Sequence, residues 1–226
     1  MRLLAINCLG VPMHDAHPDV QAPHRLRSDV LLRLLAGDRA YRDDWAAATA
    51  QCADAGLDVQ PCPDVYAPAQ LRLLAFDCYG DAVQTFYDID GYPVCPSGGT
   101  DEAWQAFLAD HPKLPPLSLE QQRLNWLDLN LICEAHGIPR MLMMILPTRV
   151  NEPKHAGIRA RYIETALECI LTLAPLGWGV YQVPWDAPPD ARHPTAWTHY
   201  DPAWLLRFSE AALAHHAASP RWIAPR

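Results

Sequence analysis

SLEQQRLNWLDLNLICEAHGIPRMLMMIL, residues 118–146, is the stretch that decides the fold class. Ser118 and Gln121 have the spacing of a capping box at a helix N-terminus, and the helical pattern ends at Gly137. The apolar run over residues 141–146 then predicts a strand buried on both faces, as in a parallel sheet. The positions expected to form one apolar face of the helix are Leu124, Leu127, Leu131 and Ile132.

The same alternation continues toward the C-terminus. Residues 159–173 have a helical period, and residues 178–183 read as a strand. Asp201-Pro202 supplies an N-cap and a first-turn proline for a last helix. Helix, strand, helix, strand and helix with short joints predict right-handed parallel crossovers. The fold class expected is therefore α/β, a three-layer sandwich with a mainly parallel central sheet.

The pattern extends upstream of this stretch. An apolar run at residues 71–76 ends in Asp77 and predicts a central buried strand. Ser28 is expected to cap a helix that ends at Gly37, and Asp90-Gly91 predicts the turn of a hairpin. The strands expected to be neighbours in one parallel sheet contain Leu3, Leu73, Met141 and Val180.

Length and composition are those of one globular domain. The chain has 226 residues, 50% hydrophobic and 19% charged, and we expect residues 1–226 to form a single domain. The longest apolar run is far shorter than the ~20 residues needed to cross a bilayer, so no membrane partner is expected. Residues 1–8 read as a first strand rather than a secretory leader, because no small-residue cleavage site follows them.

The cysteines and the net charge restrict the compartment and the partners. Seven cysteines are scattered without CxxC spacing, which favours a cytoplasmic protein over a disulfide framework or a thiolate zinc site. A formal net charge of −8 gives no electrostatic footprint for nucleic acid. We therefore expect a small-molecule or carbohydrate substrate and no cofactor. His14 and His17 have HxxH spacing, but no third metal ligand accompanies them.

Four loops are the candidate rim of a site, because ligands of open parallel sheets bind at the carboxyl ends of the strands. These loops are Asn7-Cys8, Asp77-Cys78-Tyr79-Gly80, Pro147-Thr148-Arg149 and residues 184–199. The last loop carries His193 and His199. A histidine there can serve as a general base when a carboxylate orients its other nitrogen.

The chain resembles the SGNH-hydrolase superfamily along most of its length. The resemblance rests on a first strand ending in a small polar segment, a central strand running into Asp77, a unit of helix, Gly-Ile-Pro, apolar strand and Pro-Thr, and a final His-Tyr. Its most specific segment is Trp197-Thr198-His199-Tyr200-Asp201-Pro202. The sequence is most similar to GSCFA-type and related domains of bacterial polysaccharide gene clusters.

This resemblance implies ester hydrolysis or acyl transfer on a sugar hydroxyl, with His199 as the base. It also implies that the three-layer sandwich with its mainly parallel sheet is of the SGNH or flavodoxin-like kind. The residues expected to bind the substrate at the rim are Asn7, Gly10, Asp77, Thr148, Trp197 and Tyr200.

The nucleophile departs from the family's pattern. The family carries its serine in a Gly-Ser-Cys or Gly-Asp-Ser segment after the first strand, where this chain reads Ile6-Asn7-Cys8-Leu9-Gly10. No serine occurs before Ser28. Either Cys8 is the nucleophile, activated by a histidine, or the chain is a non-catalytic SGNH-like module that binds a carbohydrate or a protein.

The base has two candidates. The family places an aspartate three residues before its catalytic histidine, but position 196, three before His199, is Ala. Asp190 and His193 do have this DxxH spacing. His193 therefore competes with His199 for the role of base.

A second resemblance concerns the central strand. Leu74-Ala75-Phe76-Asp77-Cys78-Tyr79-Gly80 is similar to the nucleophile strand of haloacid dehalogenase-like hydrolases, with Asp81 in place of the family's threonine. Membership would make Asp77 the nucleophile, with Thr148 and Lys154 in the later motifs. No acidic pair follows the last strand. The simplest alternative is that Asp77 caps the turn that follows it.

Overall fold

The structure is a computed structural model that describes residues 2–5, 20–21, 26–59, 67–144, 156–182 and 201–218. The strands are β1 (Arg2–Ala5), β2 (Val20–Gln21), β3 (Leu71–Phe76), β4 (Tyr87–Ile89), β5 (Tyr92–Val94), β6 (Arg140–Met144) and β7 (Gly179–Gln182). The helices are α1 (Ser28–Leu35), α2 (Arg39–Asp54), α3 (Tyr79–Ala82), α4 (Asp101–Asp110), α5 (Leu119–Ala135), α6 (Ala156–Leu173) and α7 (Pro202–Ala218). Two short 3₁₀ turns, Pro68–Gln70 and Ala174–Leu176, precede β3 and β7.

Five strands form one sheet in the order β2-β1-β3-β6-β7, and every pair in it is parallel. The strands that contain Leu3, Leu73, Met141 and Val180 are consecutive neighbours, as predicted. Helices α5 and α6 supply the crossovers from β3 to β6 and from β6 to β7. The expected α/β class with a parallel sheet is confirmed.

Strand β3 is the centre of the sheet, and its two faces pack against different clusters. The register between β1 and β3 shifts at its start, where Arg2 pairs with Leu71 but Leu3 pairs with Leu73. Beyond this bulge, side chains alternate between faces. Leu74 and Phe76 lie in the larger core cluster, whose other members come mainly from helices α1, α2, α5 and α6.

The opposite face of β3 belongs to a smaller cluster. Leu73 and Ala75 pack there with Met141 and Met143 of β6. Helix α7 contributes the remaining buried members of this cluster, Leu205 and Ala212. All five residues of β6 are buried, and this burial explains the continuous apolar run in its sequence.

The predicted hairpin and caps are present. Strands β4 and β5 pair in antiparallel fashion, and both turn residues, Asp90 and Gly91, have positive φ, as a two-residue type I′ turn requires. Ser118 and Gln121 form the capping box of α5. Asp201 accepts a hydrogen bond from the backbone N–H of Trp204 at 2.9 Å, as an N-cap of α7 does.

The predicted face of α5 is wrong at two of its four positions, whereas Ile132 is partly buried against the core. Leu124 and Leu131 are 57% and 59% exposed, whereas the buried residues of the helix are Gln122, Trp126, Leu129, Asn130 and Cys133. The buried face includes two polar side chains that find partners there. Asn130 accepts a hydrogen bond from Trp178 Nε1 at 3.0 Å, and Gln122 Nε2 donates to the carbonyl of Leu117 at 2.8 Å.

The predicted cap of α1 is also wrong. Ser28 is the first residue of the helix and Arg27 holds the N-cap position without a side-chain cap. The Ser28 backbone N–H instead donates to Asp81 Oδ1 at 2.8 Å. A carboxylate 53 residues away therefore satisfies the helix end that the local sequence assigned to serine.

No helix within the described ranges is long and apolar enough to cross a membrane.

Candidate functional site

The order of the strands locates the candidate site. The chain places β2 on one side of β1, and then places β3, β6 and β7 on the other side. This reversal is a topological switch point, where the crevice outside the carboxyl ends of two adjacent strands binds ligands in open α/β sheets. The strands that flank it are β1 and β3, and the described residues at the end of β3 are Asp77 to Asp81.

Asp77 is the first residue after β3 and is only 1% exposed. Its Oδ1 accepts a hydrogen bond from the Tyr79 backbone N–H at 3.0 Å and another from the Tyr162 hydroxyl of α6 at 3.0 Å. The first of these is an Asx turn, so the predicted capping of the turn is confirmed. The second fastens helix α6 to the end of the central strand.

Asp81 is a second buried carboxylate, 5% exposed, on the one-turn helix α3. Its Oδ1 accepts from the Ser28 N–H at 2.8 Å, and its Oδ2 accepts from Trp126 Nε1 at 3.3 Å. The pKa of Asp81 is raised to about 6, mainly by burial and less by the neighbouring charge of Asp29, while the hydrogen bonds of Ser28 and Trp126 oppose the shift. A single carboxylate thus connects α1, α3 and α5.

The residue between these carboxylates is a glycine, Gly80, because the backbone of Leu26 passes very close to it. A Cβ on Gly80 would overlap the carbonyl oxygen of Leu26. Only glycine fits at this crossing.

The cysteines near the end of β3 are poor nucleophiles. Cys78 and Cys169 are fully buried, and burial raises the pKa of both thiols. Cys78 Sγ lies 3.9 Å from Met144 Sδ. Burial likewise raises the pKa of Cys52 to about 11 and of Cys133 to about 12. A thiol with a raised pKa contains little reactive thiolate, so these four cysteines are structural.

A small cavity opens beside Gly80 and Asp81, with a volume of about 40 Å³. Its polar walls come from separate elements. These residues are Arg27, Asp81, Gln84, Thr85, Lys113 and Arg161.

Most of the site residues expected from sequence lie outside the described residues. Asp77 is the one that the structure describes, at the predicted end of the central strand. Those outside are Asn7, Cys8, Gly10, Thr148, Asp190, His193, Trp197, His199 and Tyr200. Two further residues, His14 and His17, also lie outside.

Sequence reasoning missed Asp81, Trp126 and Tyr162 as polar partners at this edge. Asp81 has no sequence signal for this role, because its partners Ser28 and Trp126 are 53 and 45 residues away. Trp126 and Tyr162 have none either, since each reads as an apolar member of a helix. Among the residues that the structure describes, no group of three or more His, Cys, Asp or Glu side chains could hold a metal ion.

Fold and site together define a parallel α/β protein with a ligand crevice expected between the ends of β1 and β3. Comparison with protein-family models, with curated proteins and with solved structures gave no match.

Proposed function

We propose that this chain is an SGNH-like hydrolase or acyltransferase that acts on an ester or acyl group, with a carbohydrate as the substrate. Cys8 is the nucleophile and His199 the general base, with Asp190 and His193 as the competing pair. The substrate is held by Asn7, Gly10, Thr148, Trp197 and Tyr200, and Asp77 positions this rim instead of contacting the substrate.

The switch point between β1 and β3 is the observation that carries this proposal. Cys8 follows the last residue of β1 by three positions, and Asp77 directly follows β3. Both strands run parallel as neighbours, so both segments leave the sheet at the same edge. The proposed nucleophile therefore follows one of the two strand ends between which this topology binds ligands.

The reaction follows from a thiol paired with an imidazole. His199 removes the proton of the Cys8 thiol, and the sulfur attacks the ester carbonyl to form a thioester while the alcohol leaves with that proton. Water, or a sugar hydroxyl in acyl transfer, then attacks the thioester with His199 as base. This second attack releases the acyl group and regenerates the thiol.

None of the five described cysteines competes with Cys8 for the role of nucleophile. Four of the five are buried thiols with raised pKa values, which do not react readily. The fifth, Cys95, lies directly after strand β5 of the separate hairpin, away from the parallel sheet.

The environment of Asp77 disfavours the haloacid dehalogenase-like reading. Its carboxylate is 1% exposed, and one oxygen already accepts two hydrogen bonds. An oxygen held in this way is a weak nucleophile. We assign Asp77 a positioning role, through Tyr162 and the turn at Tyr79.

The proposal includes the finer architecture and the setting. Counting only the strands of the parallel sheet, the order is 2-1-3-4-5, which is the flavodoxin-like order. The separate clusters on the two faces of β3 support a three-layer sandwich. We extend this to a single domain over residues 1–226, in a cytoplasmic protein.

Turnover of p-nitrophenyl acetate tests the proposal. Cys8→Ala and His199→Ala should each lower kcat/KM by at least about 100-fold, the usual contribution of a positioned base or nucleophile. Cys95→Ala, which removes a partly exposed thiol, should leave it unchanged.

Other outcomes separate the alternatives. Loss of turnover in His193→Ala but not in His199→Ala would transfer the role of base to His193. Full turnover in Cys8→Ala would contradict the proposal. Absence of turnover in the unmodified chain would favour the non-catalytic binding module.

A further inference from the structure

The cavity beside Gly80 is bordered by more positive than negative charge. Arg27, Lys113 and Arg161 line it, against the carboxylate of Asp81 in the lining and that of Asp29, which pairs with Arg27. Both oxygens of Asp81 are engaged by Ser28 and Trp126. The excess of positive charge lies in a chain whose formal net charge is −8, so it is a local feature and not a reflection of composition.

Arg27 is held rigidly at the wall of the cavity. Its Nε and Nη2 donate to the two carboxylate oxygens of Asp29 at 3.0 and 2.6 Å, and its guanidinium lies 5.5 Å from the centre of the Phe86 ring. This bidentate pair leaves Nη1 without a hydrogen bond to any described residue. A preorganised guanidinium loses little entropy when it binds a further acceptor.

Lys113 and Arg161 supply the other two positive charges. Neither forms an ion pair with a residue that the structure describes. The backbone of Lys113 is fixed by a bridge to Tyr87, and the next residue, Leu114, donates to the carbonyl of Phe86 at 2.9 Å. Arg161 lies in the second turn of α6. Two cations that have no ion-pair partner among the described residues thus line one cavity.

The carboxamide of Gln84 contributes a polar atom without a hydrogen-bond partner among the described residues to the cavity wall. This atom is Oε1, and it is buried. A buried amide oxygen without a hydrogen-bond partner is destabilising. Because the carboxamide can rotate by 180°, it can either donate to or accept from a bound group.

We propose that this cavity binds a small oxyanion, a phosphate or carboxylate group carried by a small molecule. Arg27 Nη1, Lys113 and Arg161 donate to its oxygens, and Gln84 completes the hydrogen bonding. The volume of about 40 Å³ exceeds the 10–15 Å³ that a single water needs and suits a group of this size. The inference goes beyond the ester chemistry and does not depend on it.

Titration of the full chain with inorganic phosphate, and separately with acetate, tests the proposal at constant ionic strength. Two-dimensional ¹⁵N–¹H NMR follows the Gly80 backbone amide and the Gln84 side-chain amide. Saturable shifts of both signals are expected with at least one of the two anions. Phosphate binding without acetate binding would identify a phosphoryl ligand, and the reverse a carboxylate.

Variants locate the site. Lys113→Gln and Arg161→Gln should each weaken binding at least tenfold, because each removes a charge-assisted hydrogen bond. Arg72→Gln removes an exposed arginine from the opposite end of β3 and should leave the affinity unchanged.

Two results would overturn the proposal. One is the absence of saturable binding of either anion, and the other is equal weakening in all three variants. Ester turnover is not measured, so this experiment can fail while the proposed function stands.

Discussion

At the scale of single residues, buried carboxylates organise the end of the central strand. Asp77 holds a turn and helix α6, and Asp81 holds α1 and α5. The role of Asp77 as a turn cap could be predicted, since its partner Tyr79 is two residues away. The role of Asp81 could not, because its partners are 53 and 45 residues distant and no local pattern encodes them.

Asp81 should make the stability of the fold depend on pH. Its pKa rises from 3.8 to about 6 on folding, so the folded state holds this proton between these pH values and the unfolded state releases it. The stabilisation from protonated Asp81 is therefore full below pH 3.8 and is lost as the pH rises through 6. A shift of this size corresponds to about 3 kcal/mol.

Asp81→Asn should remove that dependence. Between pH 4 and pH 7, the free energy of unfolding of the unmodified chain should fall by about 2–3 kcal/mol more than that of the variant. Urea unfolding at the two pH values measures this difference. Asp128→Asn, at an exposed position of α5, should behave like the unmodified chain. An identical pH dependence in all three proteins would contradict the burial of a titrating Asp81.

At the scale of elements, the boundaries of strands and helices followed from the sequence better than the orientation of the helices did. The apolar run at residues 71–76 coincides with β3, because a strand buried on both faces needs no periodicity to be recognised. Helix α5 has leucines around most of its circumference. The leucine spacing therefore indicated an apolar face but not the buried one, which Trp126, Leu129 and Cys133 define.

Two leucines of α5 provide a matched test of its orientation. Leu129 is 1% exposed and Leu131 is 59% exposed, so the same substitution removes core packing at one position and surface at the other. Leu129→Ala should lower the free energy of unfolding by about 2–5 kcal/mol. Leu131→Ala should change it by less than about 0.5 kcal/mol. Urea unfolding measures both, and equal losses would show that the helix is rotated.

At the scale of the whole molecule, the parallel sheet and its switch point are what connect the fold to a function. The sheet was predictable because helices and buried strands alternate along the chain, and consecutive parallel strands joined by helices tend to be neighbours. The cavity was not predictable. Its walls come from segments as far apart in sequence as Arg27 and Arg161, and only folding brings them together.

The central claim is that Cys8 is a thiolate nucleophile activated by His199. The most direct measurement is the rate of Cys8 alkylation by iodoacetamide as a function of pH, read by peptide mass spectrometry in the unmodified chain and in His199→Ala. An adjacent imidazolium should lower the pKa of Cys8 below the ordinary value of about 8.5, so Cys8 should react first among the seven cysteines at neutral pH. Its reactivity should shift to higher pH in His199→Ala. Alkylation of Cys8 at the same rate in both proteins at every pH would contradict the account.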